Sequence, residues 1–328
     1  MKRLIIDCDP GNGIPGANVD DGLALALALA SPDISLELIT IVAGNTPCEV
    51  GYQVARDLLS RLEVAMPIYK GAECALLEPP EPWRQVLDHR VHELQLEYLW
   101  HGVRQPPLAK VSSKNAAEAI GKHICNNPGE ITLVAIGPLT NVARAMACFP
   151  QLAKSVKEIV IMGGVFALDN YIKDTNFGLD PEAAHQVINS GANLTLFPMD
   201  TTTQTLMTHH DLDYLASIDK PLAHFVVETF RPWIDYSTKI SRLPGCWIHD
   251  ALVIAWLLNK HVATGSDYFV NVELHAGATR GKSWRYRPPL GVKVAIPECA
   301  GGQVHVLQHV DNVLLLSMIN QLLSNSSY

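Results

Sequence analysis

Residues 3–21 read Arg-Leu-Ile-Ile-Asp-Cys-Asp-Pro-Gly-Asn-Gly-Ile-Pro-Gly-Ala-Asn-Val-Asp-Asp, an apolar strand that runs into a glycine-rich loop and out into a helix. Leu4, Ile5 and Ile6 make an unbroken apolar run, which suits a strand buried on both faces of a parallel sheet. Asp7 and Asp9 are two residues apart, so both project from the same side of that strand if it persists. Gly11, Gly13 and Gly16 break the strand, and Asp20 and Asp21 open an Ala/Leu-rich helix. Like charges this close repel unless something neutralises them. A hard cation held by oxygen ligands is the simplest remedy.

Outward from this stretch, strand-like and helix-like segments alternate. A helix over 20–31 precedes a strand over 36–42 that ends at Ala43-Gly44-Asn45. A helix over about 50–62 and a short strand over 66–69 follow. Beyond them come helix 115–126, strand 131–136, helix 139–147, strand 158–162, helix 181–190 and strand 193–197. Such alternation predicts an α/β fold, an open and mainly parallel sheet flanked by helices. No repeat, low-complexity block or linker interrupts it, so a single domain over 1–328 is expected. Residues 72–108 differ: Pro79, Pro80, Pro82, Pro106 and Pro107 frame a polar, aromatic stretch. It is too polar for core and too long for a connector, and reads as an irregular insertion near the site.

Small and polar residues follow each strand: Asp7 and Asp9, then Asn45, Gly137-Pro138, Gly163-Gly164 and Asp200-Thr201-Thr202. Ligands of open α/β sheets bind beyond the carboxyl ends of the strands. The site is therefore expected along that edge.

Composition narrows the function classes. Apolar residues make up 48% and charged residues 18% of the 328, an ordinary globular balance. A net charge of −8 without any Lys/Arg run argues against a nucleic-acid surface. The seven cysteines, at 8, 48, 74, 125, 148, 246 and 299, are scattered with no Cys-x-x-Cys pair. That pattern suits reduced thiols in a cytoplasm and makes a zinc site unexpected. The first residues lack a signal-peptide pattern, and no apolar run approaches the roughly 20 residues that span a bilayer. A cytoplasmic protein without membrane contact is expected.

Three constellations carry chemistry. Asp9, Asp20 and Asp21 offer only oxygen, which favours Ca²⁺ or Mg²⁺ over zinc, although Asp20 also suits a helix cap. His249-Asp250 opens the apolar run Ala251–Leu258. Asp there is a normal cap, while His titrates near neutrality and can protonate or hydrogen-bond a leaving group. In 171–184, Asp180-Pro181-Glu182 is a structural helix start, whereas Asp174 and Asn176 just ahead of it lie in a loop where polar side chains can pair sugar hydroxyls. Trp83, Trp100, Trp247 and Tyr236 are either stacking surfaces for a base or core aromatics.

The Asp-x-Asp-Pro-Gly…Asp-Asp opening resembles that of the nucleoside hydrolases, the inosine-uridine-preferring ribohydrolase family. Val42-Ala-Gly-Asn45, Ile136-Gly-Pro-Leu-Thr-Asn141, Ile161-Met-Gly-Gly164, Asp180-Pro-Glu-Ala-Ala184, His249-Asp250 and Thr279-Arg-Gly281 agree with it, in the family's order. The resemblance implies Ca²⁺-dependent hydrolysis of the N-glycosidic bond of ribonucleosides, giving ribose and free base in a salvage setting. By the same resemblance Asp9 would activate a metal-bound water, with Asp9, Asp21, Asp250 and the Ile136 carbonyl as ligands. Asp20, Asn45, Asp174, Asn176 and, with a short gap, Asn170 would hold the ribose, with Met162 against it. His249 would sit beside the base; Trp83 and Trp247, read from the residues alone, are candidates to stack on it. Family members commonly form homodimers or homotetramers.

The chain departs from that pattern in three places. Eight residues, Asn12 to Val19, stand between Pro-Gly and Asp-Asp where the family has one, and read as a formed loop over the site mouth. Asp174-Thr175-Asn176 replaces the usual Glu-Phe-Asn, a shorter reach to the sugar. His101-Gly102 lacks the second glycine of the family's His-Gly-x-x-Gly segment. Competing readings are hydrolysis of another ribosyl compound, a non-catalytic nucleoside or ribose binder, and a Mg²⁺ phosphatase of the haloacid dehalogenase type. The last leaves Asp20-Asp21 and His249-Asp250 without a role.

Overall fold

The computed structural model describes residues 1–107, 115–287 and 301–328. Leu108, the last residue of the expected insertion, and Cys299 lie outside the described residues. In chain order, β1 (Lys2–Cys8), α1 (Asp20–Ala30), β2 (Ile34–Ile41), α2 (Cys48–Arg61) and β3 (Ile68–Lys70) come first. Next are α3 (Trp83–Glu93), α4 (Ala116–Asn126), β4 (Ile131–Ala135), α5 (Thr140–Cys148), α6 (Leu152–Ser155) and β5 (Glu158–Met162). Then follow α7 (Thr175–Leu179), α8 (Pro181–Ile188), β6 (Leu194–Phe197), α9 (Met199–Thr202), α10 (His209–Ala216) and α11 (Pro221–Ser241). The chain ends with α12 (His249–Leu258), β7 (Ala263–Val272), β8 (Ser283–Tyr286), β9 (Gly302–Val310) and α13 (Asn312–Asn325).

Among the described residues nine strands form one sheet in the order β3-β2-β1-β4-β5-β6-β9-β7-β8, parallel except where β7 pairs with β9 and β8. The open, mainly parallel α/β architecture expected from the alternation is the one observed. Side chains on β1 alternate between two cores: Leu4, Ile6 and Cys8 enter one with α1, α2, α11 and α12, and Ile5 enters the other with α4, α5 and α8. This two-sided burial is why the strand carries no polar alternation. Burial of each such side chain contributes about 1.5–3 kcal/mol, so one charge in place of Ile5 would split the sheet from its helices.

Strand order also fixes the site. The chain lays β2 and β3 to one side of β1, then returns to lay β4 on the other. The crevice at such a reversal, beyond the carboxyl ends of β1 and β4, is where open α/β sheets bind ligands. There the Ile136 N–H donates to the Asp7 carbonyl at 2.9 Å, joining the two strand ends.

Two sequence expectations are corrected. The 72–108 stretch is not wholly irregular: α3 occupies 83–93, and a short 3₁₀ turn covers Glu97–Trp100. Trp83, Leu87 and Val91 of α3 recur at helical spacing, but only Val91 is buried, and the prolines and polar residues around them mask that short pattern. The 12–19 loop is formed, but it is wedged into the fold. Asn12 is buried and its amide donates to Val19 O and Thr229 Oγ1 of α11, while Gly16 lies against Val91 of α3.

Candidate active site

Asp9 leaves the end of β1 in a slot that only glycines permit. A Cβ on Gly44 would lie 1.8 Å from Asp9 Oδ2, and one on Gly137 would lie 2.9 Å from Oδ1. Within that slot the Asn45 N–H donates to Asp9 Oδ2 at 2.6 Å. Asp9 Oδ1 is buried with no partner. Burial pushes its carboxyl up to about 7, opposed by the Asn45 N–H that favours the ionised form.

Asp20, Asp21 and Asp250 present one oxygen each within 4.8 Å of one another, the one such acidic trio among the described residues. Asp21 Oδ1 accepts from the Asp9 N–H at 3.0 Å and its Oδ2 from the Asn45 amide at 3.1 Å. Burial, reinforced by Asp9 and Asp20, holds the Asp21 carboxyl well above its usual range. Asp250 is raised likewise, by burial first and then by the charges of Asp20, Asp21 and Asp9. One oxygen of Asp20 and one of Asp250 are buried without partners.

Asp20 does cap a helix, though not its own. Its Oδ2 accepts from the N–H groups of His249 (2.7 Å) and Asp250 (3.2 Å), the first turn of α12, whereas α1 has no side-chain cap. The structural and functional readings of Asp20 therefore coexist: one oxygen caps and the other is free. His249 is half-buried, and its Nδ1 lies 2.7 Å from Thr202 Oγ1. Burial lowers its pKa, against the nearby Asp20 charge.

On the far side of the crevice, Asp174 caps α7 by accepting from the Phe177 N–H at 3.1 Å, leaving Oδ1 buried and unpartnered. Burial raises it to about 6 against several backbone donors. Asn176 lies inside α7, not in a loop as the sequence suggested. Its amide donates to Ile136 O (2.8 Å) and Met162 O (3.1 Å), stitching β4 to β5. One lone pair of the Ile136 carbonyl is thus used, and a carbonyl has two.

The aromatics divide. Trp247 stands edge-to-face between His249 (5.8 Å) and Tyr171 (6.4 Å), a rim of rings beside the carboxylates. Trp83 lies over Gly178 at the end of α7, with Lys173 Nζ 5.5 Å from its ring. Trp100 and Tyr236 are buried on each other at 5.6 Å with Val91, so they are core. His89, His92 and His101 are exposed, and so is Asn170, in a turn that no hydrogen bond here ties to the site.

Three participants were not read from the sequence. Thr202 is foreshadowed only by the polar end of β6. Tyr171 is signalled by nothing but its aromaticity. Arg84 comes from α3, and its Nη1 reaches Gly44 O at 2.6 Å; no local pattern announces a contact made forty residues away.

Orphaned buried oxygens on Asp9, Asp20 and Asp250, in an all-carboxylate and carbonyl set, fit a hard divalent cation. Comparison with known proteins gives the family. A sequence model of the inosine-uridine preferring nucleoside hydrolases matches residues 4–316. The chain is 29% identical over 285 residues to the pyrimidine-specific ribonucleoside hydrolase RihB of Shigella flexneri serotype 5b (strain 8401), covering 86% of each chain. Among solved structures it resembles the plant nucleoside hydrolase PpNRh1 with a TM-score of 0.86 at 25% identity, over 98% of this chain and 99% of that one. A purine-preferring ribonucleoside hydrolase from Gardnerella vaginalis aligns with a TM-score of 0.78 at 26% identity, over 98% and 99%. A match over nearly the whole chain, together with the carboxylate crevice at the β1–β4 reversal, places this protein in the inosine-uridine preferring nucleoside hydrolase family, as an N-glycosidic hydrolase.

Proposed function

We propose that the protein hydrolyses ribonucleosides to ribose and free base with Ca²⁺ as its cofactor and Asp9 as the base that takes a proton from the attacking water. The observation that carries this reading is Asp9 Oδ1: buried, without a partner, beside the trio of carboxylates and free to accept a proton. Its pKa near 7 in the cation-free chain fits a base that works near neutrality. Asp9, Asp21, Asp250 and the Ile136 carbonyl would hold the cation. Once bound, it supplies Lewis acidity toward water and a clamp for vicinal hydroxyls.

The remaining steps fall to the chain's own groups. Water attacks the anomeric carbon, its proton goes to Asp9 Oδ1, and the C–N pair leaves on the base nitrogen. An oxocarbenium-like transition state is stabilised by the surrounding carboxylates. The free oxygens of Asp20 and Asp174 and the Asn45 and Asn176 amides would orient the ribose, with Met162 beneath it. A Thr202 hydroxyl that donates to Nδ1 would place the proton of a neutral His249 on Nε2, where it would hydrogen-bond the departing base. Protonation by an imidazolium is disfavoured by its lowered pKa. Trp247, with Tyr171, and Trp83 would face the base. Cytoplasmic placement and a homodimer or homotetramer belong to the same reading. Among the described residues no helix is long and apolar enough to cross a membrane.

A panel of ribonucleosides and 2′-deoxyribonucleosides, assayed for free sugar with EDTA and then with added Ca²⁺, tests the reading. Hydrolysis restored by Ca²⁺ is expected. No hydrolysis of any nucleoside by the Ca²⁺-loaded protein would turn the site toward another ribosyl compound or toward binding alone.

A further inference from the structure

Arg84 has no part in the scheme above, yet it is the side chain of α3 that reaches the catalytic turn. Its Nη1 donates to Gly44 O at 2.6 Å and its Nη2 to Asn45 O at 3.2 Å. Asp88, one helical turn on, accepts from Nε at 3.1 Å and holds Nη2 at 3.0 Å. The side chain is only 13% exposed, so the fork is fixed on three sides. The same turn meets the carboxylates on its other side, with the Asn45 N–H on Asp9 Oδ2 and the Asn45 amide on Asp21 Oδ2. We propose that Arg84 is a positioning residue for Asp9: by gripping both carbonyls of the Gly44–Asn45 turn, it sets the donors that aim the base.

This inference rests on the reading of Asp9 as the base. A planar guanidinium suits the task, because a lysine ammonium cannot hold two carbonyls and a carboxylate in one plane. Two features of the chain, the lengthened first loop and the 72–108 insertion, support the delivery of that group. The lengthened first loop lies beneath α3, where Gly16 leaves room for Val91, and Gln105 Nε2 donates to Gly13 O at 2.8 Å. The Arg104 N–H in turn binds Glu228 of α11 at 2.8 Å. Loop and insertion together brace a helix that has almost no core of its own.

The test compares Arg84→Ala, Arg84→Lys and Asp9→Asn with the wild type, using saturating Ca²⁺ and the ribonucleoside the wild type turns over fastest. For Arg84→Ala, kcat falls about 10²-fold, as expected for a catalytic group displaced by an ångström. Its KM stays within about threefold, since the interaction lost is one that matters in the transition state. Arg84→Lys recovers only a small part, and millimolar guanidinium chloride partly restores Arg84→Ala. A tether for α3 alone would lower the melting temperature or raise KM and leave kcat intact. That outcome, with Asp9→Asn inactive, overturns the proposal and spares the base assignment. Full activity in Asp9→Asn overturns both. Should Arg84→Ala fail to fold, Arg84→Lys decides: wild-type kcat there refutes the proposal.

Discussion

Asp9 is held by what its neighbours lack as much as by what they supply. Gly44 and Gly137 leave the space its carboxylate fills, and the single N–H of Asn45 satisfies one oxygen while the other stays free. Asp9→Asn keeps the shape and removes the base, so turnover should drop by at least the roughly 10²–10⁴-fold that general base catalysis contributes. The melting temperature in EDTA should not fall, because a buried, repelling carboxylate becomes a neutral amide; full activity would remove Asp9 from the role. Gly44→Ala tests the slot itself. A methyl 1.8 Å from Oδ2 must move the turn, and kcat should fall about 10²-fold, whereas Gly191→Ala, whose added methyl meets nothing within 4 Å, should not alter kcat. Equal kinetics for Gly44→Ala and wild type would mean that Asp9 tolerates displacement.

At the scale of elements, the sequence was legible where pattern is local and opaque where contact is distant. The apolar runs of β1, β4 and β5 and the Asp-Pro start of α8 announced themselves through burial and capping, and their observed limits lie within a residue or two of expectation. Asp20, Asp21 and Asp250 cluster, and Asp9 and Asn45 join them by hydrogen bonds, because all sit at strand or helix ends that the β1–β4 reversal brings together. What was not read was α3, a mostly polar helix whose short apolar row Trp83, Leu87 and Val91 buries only Val91 and whose Arg84 contact lies far along the chain. Also hidden were the capping of α12 by Asp20 and the Asn176 link between β4 and β5, both made across the fold. Tyr236 looked like a base contact because it precedes His249 by little, but the turn of α11 directs it onto Trp100. If α3 covers the site, Trp83→Ala should change the ratio of rates between purine and pyrimidine ribonucleosides by roughly 10-fold, from a stacking contact of about 1–3 kcal/mol. An unchanged ratio would make Trp83 a structural partner of Gly178 and Lys173.

Across the whole molecule, the crevice concentrates buried carboxylates that share one electrostatic direction. Asp7 and Asp9 are pushed up to about 7 and Asp174 to about 6, and Asp21 and Asp250 are held well above the usual carboxylate range, each chiefly by burial. Asp7 shows that this is not confined to the reacting groups. It is buried under Asn141 (2.8 Å) and Thr40 (2.5 Å), which fasten β1 to α5 and β2. A carboxyl whose pKa is higher folded than unfolded stabilises the fold while it is protonated. The contribution is complete below the unfolded value near 4 and disappears as pH rises through the folded value. The cation-free protein should therefore melt at progressively lower temperature as pH is raised from about 4 to about 7 and beyond. A bound cation reverses the sign of the local problem, since it favours ionised ligands and is bound by the native state alone. Added Ca²⁺ should raise the melting temperature far more at pH 8 than at pH 5. Calorimetry at both pH values, with EDTA and with Ca²⁺, measures this directly. Equal Ca²⁺ shifts at the two pH values would mean that the buried carboxylates are already ionised in the cation-free fold, and the crevice would then have to stabilise their charge by some other means.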